Sequence, residues 1–207
     1  EFLVGWLADG DELAEADEIF HDLLAAAEEL GATRIKVGPD MQAKDWPMDH
    51  MCARFAKLCQ RAQPCGAEIV LEPMPWSNIA NLKSARALIE GANEPNGGLL
   101  IDIWHMARGG IGYDEVAKLP RGMIKHVELS DADAEIHGTL LEDTLDHRKF
   151  CGEGVFDVPD FLGALNEQGY DGAYGIEIIS EAQRQRPYRE VARDAIEATR
   201  RQFSLTR

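Results

Sequence analysis

Four acidic residues close, or nearly close, four separate apolar runs. Glu72 ends Glu68-Ile-Val-Leu-Glu72 and Asp102 ends Gly98-Leu-Leu-Ile-Asp102, while Glu128 falls late in Ile124-Lys-His-Val-Glu-Leu129 and Glu177 late in Tyr174-Gly-Ile-Glu-Ile178. Carboxylates pointed into one apolar-walled cavity raise one another's pKa steeply unless a cation neutralises them. A divalent ion does so. All-oxygen ligands favour a hard ion, magnesium or manganese, with cobalt or zinc admitted if a histidine joins. Four carboxylates against one such ion still leave two negative charges over, which calls for Lys, Arg or protonated His nearby.

Lys36 is one candidate, because Ile35 and Val37 read as the helix-facing pair of their run and strand alternation then turns Lys36 inward; a strand-end lysine snorkelling to solvent is the equal alternative. Arg148, in a long irregular stretch, is another. His105, three residues after Asp102, could polarise a carbonyl or shuttle a proton near neutral pH. His126 shares the inward face with Glu128 one layer deeper and reads as a hydrogen-bonded core histidine. His21 and His50 read as surface or packing residues, and only their place in the loop points to His137 and His147. Asp131, taken alone, reads equally as a solvated loop acid or as a member of the site. Trp6, Trp76 and Trp104 could wall a pocket, although core packing is the commoner role of tryptophan.

These residues need elements to position them. Short Ile-, Leu- and Val-rich runs at 2–6, 34–38, 68–72, 99–103, 124–129 and 174–179 alternate with amphipathic stretches at 14–30, 48–62, 82–91, 158–168 and 187–202. Gly31, Gly91 and Gly169 follow three of the latter as C-caps. This is the pattern of repeated βα units on a parallel sheet, in which reactive groups sit at the carboxyl ends of the strands. Residues 130–155 are the least regular, long enough to be read as an active-site loop or lid. Six units do not close an eight-stranded barrel. The expectation is a single domain over 1–207 lacking its first two units, whether truncated, open or completed by another chain as in a homo-oligomer.

Composition narrows the partners. The 207 residues carry 37 acidic and 21 basic side chains, a formal net charge of -16 that repels a phosphate backbone, so nucleic acid is not expected. No apolar run approaches the roughly 18 residues of a membrane span, and no signal peptide is visible, so a cytoplasmic protein without a membrane partner is expected. Cys52, Cys59, Cys65 and Cys151 form no C-x-x-C pair and read as buried free thiols of a reducing compartment.

The segments Leu71-Glu-Pro-Met-Pro-Trp76, Leu100-Ile-Asp-Ile-Trp-His105, His126-Val-Glu-Leu-Ser-Asp131, Gly152-Glu-Gly-Val-Phe-Asp157 and Gly169-Tyr-Asp-Gly-Ala-Tyr-Gly-Ile-Glu-Ile178 resemble the xylose isomerase-like TIM barrels. That superfamily includes sugar phosphate isomerases and epimerases, inosose dehydratases and 3-dehydroshikimate dehydratases. The resemblance covers essentially the whole chain and makes its first strand the third of the barrel. It implies a divalent metal held by Glu72, Asp102, Glu128 and Glu177, with position 128 a glutamate where histidine or glutamine is usual. It also implies substrate contacts at His105 and at Arg148, ahead of the Gly-Glu-Gly turn.

The leading expectation is an isomerase or epimerase of a small sugar, sugar phosphate or polyol-derived ketone, working through an enediolate. Glu72 and Glu177 would move the proton, His105 would polarise the carbonyl, and Arg148, Lys36 and Trp76 would hold the substrate. A dehydratase is the close alternative, since the same enediolate can expel a β-hydroxyl. An apurinic endonuclease of this architecture needs more histidine ligands and a basic face, which the charge contradicts. A non-catalytic metabolite-binding barrel is the remaining alternative, prompted by the uncommon Glu128.

Overall fold

The computed structural model describes residues 2–206. Its strands are β1 Phe2–Leu3, β2 Arg34–Val37, β3 Glu68–Leu71, β4 Gly97–Asp102, β5 Ile124–Leu129 and β6 Tyr174–Ile176, hydrogen-bonded in that order. β1–β2, β2–β3, β3–β4 and β5–β6 pair in parallel, and β4 joins β5 through Leu99 N–H donating to Met123 O at 2.8 Å. The helices are α1 Gly10–Leu30, α2 Met48–Ala62, α3 Leu82–Ala92, α4 Ile103–Arg108, α5 Tyr113–Ala117, α6 Leu140–Asp146, α7 Val158–Gln168, α8 Glu181–Arg184 and α9 Tyr188–Phe203. This is the expected partial (β/α)8 TIM barrel, with parallel strands separated by helical crossovers. Among the described residues no helix is long and apolar enough to cross a membrane.

The chain forms two compact units. The first takes in the residues up to Leu100 together with Gly122–Lys125. Here Ile35 and Val37 of β2 are buried, leaving Arg34 and Lys36 on the opposite face as alternation requires. α2 buries Met51, Phe55, Leu58, Cys59 and Ala62, an i, i+4, i+7, i+8, i+11 stripe, and packs on α3. Gly91 lies at that contact. It does not cap α3, which runs on to Ala92 and ends at Asn93 in the left-handed conformation (φ 52°). A Cβ at Gly91 would stand 2.5 Å from Cys52 Sγ, so its small size serves close helix approach.

The second unit comprises Ile101–Arg121 and the residues from His126 onward. α5 packs on α7, with Tyr113 edge-on to Phe161 at 5.1 Å. α9 lays Ala195 and Ala198 on Phe150, Ile176 and Ile178. α7 starts on Asp157, whose side chain accepts from Asp160 N–H, and ends at Gly169 with φ 86°; Gly31 ends α1 in the same way. Four helices were not expected, two of them the short α5 and α8. α4 begins directly after Asp102, where a strand residue was read, and α6 sits inside the irregular stretch, started by a Thr139–Glu142 capping box. The four cysteines are free; Cys59 and Cys151 are buried, Cys52 and Cys65 half-buried.

Candidate active site and metal centre

In the first unit β3 places Glu72 one residue past its end, where the Glu72 N–H still donates to Val37 O at 3.1 Å and extends the ladder. Glu72 is 1% exposed, and one carboxylate oxygen lies 3.1 Å from Lys36 Nζ. Lys36 therefore faces inward, as alternation predicted. Trp76, in the loop after β3, is half-buried, whereas Trp6 is a core residue whose indole N–H donates to Gly38 O.

In the second unit Asp102 closes β4 and also caps α4, its Oδ1 accepting from Trp104 N–H at 2.8 Å. Glu128 is the penultimate residue of β5. It alternates with His126 on the face opposite buried Val127 and Leu129, and His126 Nε2 lies 4.0 Å from its Oε1. Across the pairing sits Gly175, where a Cβ would come within 3.0 Å of His126 Nε2 and 3.1 Å of Glu128 Cγ. A side chain there would press on both by a few tenths of an ångström. Glu177 follows β6, its N–H donating to Leu129 O at 3.1 Å.

Asp102, Glu128 and Glu177 each offer a carboxylate oxygen, all within 4.8 Å of one another. Ligands about 2.0–2.6 Å from a hard cation lie at most about 4–5 Å apart, so this donor set fits a divalent ion by both chemistry and span. His105, 3% exposed, sits in α4 with Nε2 3.8 Å from Asp102 Oδ2 and its ring edge-on to Trp104.

Arg148 is 2% exposed. Its Nη1 donates to Asp102 Oδ2 at 2.7 Å and lies 3.0 Å from Glu177 Oε2. Its Nε and Nη2 donate to the Thr144 hydroxyl at 3.1 and 2.7 Å, and its guanidinium covers the ring of fully buried Trp104 at 5.4 Å. Three carboxylates and one guanidinium leave two negative charges, the amount one divalent ion cancels. The cations called for by charge counting are thus present, Lys36 on Glu72 and Arg148 on Asp102 and Glu177.

Other acids near these elements have roles that the sequence did not fix. Asp131 is not a solvated loop acid: it is fully buried and accepts from Ala132, Gly152, Gly154 and Phe156 N–H at 2.9–3.0 Å. The expected loop or lid is therefore fastened, also by bridges Asp131–Lys149 and His147–Ser180. Arg108 on α4 pairs with fully buried Asp143 on α6. His137 lies 3.2 Å from Asp133 and 4.7 Å, ring to ring, from His147. A hydrogen bond from Lys149, then one from His137, holds the Asp133 carboxyl below its usual range. His21 is exposed, and His50 stacks on Trp46 with Nε2 2.9 Å from Leu7 O, a packing role as read. Burial, chiefly, pushes the Cys151 thiol up to about 11, although Thr199 hydrogen-bonds it.

The model of the xylose isomerase-like TIM barrel family matches residues 3–202. The chain belongs to that family. It is 30% identical over 141 residues to a 3-dehydroshikimate dehydratase of Pseudomonas aeruginosa, covering 68% of this chain and 22% of that protein. It is 24% identical over 127 residues to an inosose isomerase of Halalkalibacterium halodurans, covering 60% of this chain and 44% of that one. Among solved structures, the IOLI protein with a bound zinc atom superposes with a TM-score of 0.84 at 19% identity, over 96% of this chain and 73% of the other. The chain thus spans less than half of either curated relative, and the structural likeness shows the family fold.

Proposed function

We propose that this chain carries the metal-binding part of a divalent-metal-dependent isomerase or epimerase acting on a small sugar, sugar phosphate or polyol-derived ketone, and that all 207 residues belong to one barrel domain. The observation that carries the reading is the trio Asp102, Glu128 and Glu177, whose oxygens are clustered and whose charge, after Arg148, equals that of one divalent ion. Glu72 completes the ligand set by its position after β3 and by the family pattern. Magnesium or manganese is the ion such oxygens favour. When bound it supplies charge neutralisation and stabilises negative charge developing on adjacent substrate oxygens.

The rest of the work falls to side chains. Glu72 and Glu177 take and return the proton on the carbon beside the carbonyl, and His105 donates a hydrogen bond to the carbonyl oxygen. Lys36 pairs with Glu72 and, with Trp76, borders the substrate. Arg148, read from the sequence as a substrate contact, is here assigned to orienting Asp102 and Glu177, because its guanidinium is buried against them. The similarity to a 3-dehydroshikimate dehydratase favours a second reading on the same residues, in which the enediolate expels a β-hydroxyl.

Two measurements test this. Chelator-treated protein titrated with Mn²⁺ should take up one equivalent; uptake below a tenth of an equivalent removes the metal site. Glu177→Gln should lower turnover of the active substrate by about 10²-fold or more while leaving the melting temperature within a few degrees, as expected of a general acid or base. Conserved product mass marks the isomerase, and loss of 18 mass units the dehydratase.

A further inference from the structure

The three carboxylates and Arg148 are not the end of the connected network in the second unit. Arg108, six residues after Asp102 on α4, has a side chain only 7% exposed. Its Nε donates to Asp143 Oδ2 at 2.9 Å, and its Nη2 donates to Asp133 O at 2.9 Å and Glu135 O at 3.3 Å. The other Asp143 oxygen accepts from His137 N–H at 2.9 Å. One planar guanidinium thus serves a carboxylate and two carbonyls, a task a lysine ammonium cannot share out in the same plane. The next residue, Thr144, presents both its hydroxyl and its carbonyl to Arg148. The path therefore closes on itself. Asp102 caps α4, α4 carries Arg108, Arg108 fixes Asp143 and with it Thr144, Thr144 seats Arg148, and Arg148 returns to Asp102.

We propose that Arg108 is a positioning residue for the metal site, acting through Asp143 and Thr144 on the Arg148 guanidinium that orients Asp102 and Glu177. The inference rests on the metal-site reading above. A buried ion pair is poor evidence for stability, since apolar groups of the same shape serve as well, but it does fix one arrangement of the groups around it. Loosened at Thr144, Arg148 would either lose its hold on the two carboxylates or swing onto the oxygens that face the ion. Both outcomes weaken metal binding.

The test is a double-mutant cycle read by calorimetric Mn²⁺ titration of folded, metal-free protein. Arg108→Met, Asp143→Asn and Thr144→Val should each weaken Mn²⁺ binding about tenfold, the lower edge of what loss of an outer-shell partner costs a metal site. Arg108→Met combined with Thr144→Val should lose no more than either alone, because both cut the same ring. If Arg108→Met does not fold, Asp143→Asn keeps the side-chain shape and carries the cycle with Thr144→Val. Singles that bind Mn²⁺ like the wild type, with only a lower melting temperature, overturn the proposal, as does a double variant whose loss is the product of the singles. Wild-type protein that binds no Mn²⁺ removes this inference together with the metal site; wild-type binding with unchanged variants removes this inference alone.

Discussion

Glu128 is the proposed ligand at which the family resemblance implies histidine or glutamine, and its surroundings admit a carboxylate. Gly175 leaves the space, and His126 stands one layer below. An added anionic ligand tightens a hard ion and lowers its Lewis acidity. Glu128→His should therefore move metal preference toward zinc over manganese by on the order of tenfold, following ligand softness. Competition titration with the two ions checks this; an unchanged preference takes Glu128 out of the ligand set. At this scale much was legible. Glu72, Asp102, Glu128 and Glu177 stood at strand ends, and simple alternation turned Lys36 inward. Asp131, Arg108 and Asp143 were not legible, because their partners are backbone groups and side chains from 1 to 35 residues away in loops without a period, in which one acid looks like any other.

Among elements, residues 130–155 show how a loop is made rigid without regular pairing. Asp131 gathers the N–H groups of Ala132, Gly152, Gly154 and Phe156, so both its oxygens are occupied. Asp131→Asn replaces one acceptor with an amide donor facing backbone N–H. The expected loss is about 3 kcal/mol of unfolding free energy, from hydrogen bonds to a charged group lost and donors left unsatisfied. Urea unfolding measures it, and a loss under about 0.5 kcal/mol, the size of an ordinary surface change, would contradict the role drawn from the geometry. α2 and α7 matched their expected bounds because an apolar stripe runs their full length. α6 carried the Thr-x-x-Glu signature, yet its burial is mostly of Asp143 and Thr144, so no apolar stripe marked it. α4, only six residues long and wholly apolar at its start, reads locally as the continuation of β4.

For the whole molecule, the strand order and parallel pairing followed from the alternation of apolar runs and amphipathic stretches, which leaves few other topologies. Its thiols set its behaviour in alkali. Burial, with Glu94 adding, pushes Cys59 up to about 12, and Cys151 lies at about 11. In the unfolded chain a thiol titrates near about 8.5. Between these limits the native state keeps protons that the unfolded state has lost, so stability is intact below about pH 8.5 and falls as pH rises toward 11 and 12. Burial raises the Tyr113 phenol too, with Asp157, Asp131 and Asp160 adding in the same direction. Urea midpoints should hold level to pH 8 and decline above 9, and a thiol reagent at pH 8 should reach Cys59 and Cys151 only on unfolding. Rapid modification of all four thiols in native protein would show the burial to be wrong.

Trp104 lies fully buried with two guanidinium groups near its ring, Arg148 at 5.4 Å and Arg108 at 5.8 Å, and with the His105 ring perpendicular to it at 5.2 Å. Charges so near an indole shift the energy of its excited state. The protein therefore contains its own optical probe: the emission of this tryptophan, taken as the difference from a Trp104→Phe variant, responds to the joint placement of Arg148, Arg108 and His105, with no substrate, label or turnover needed.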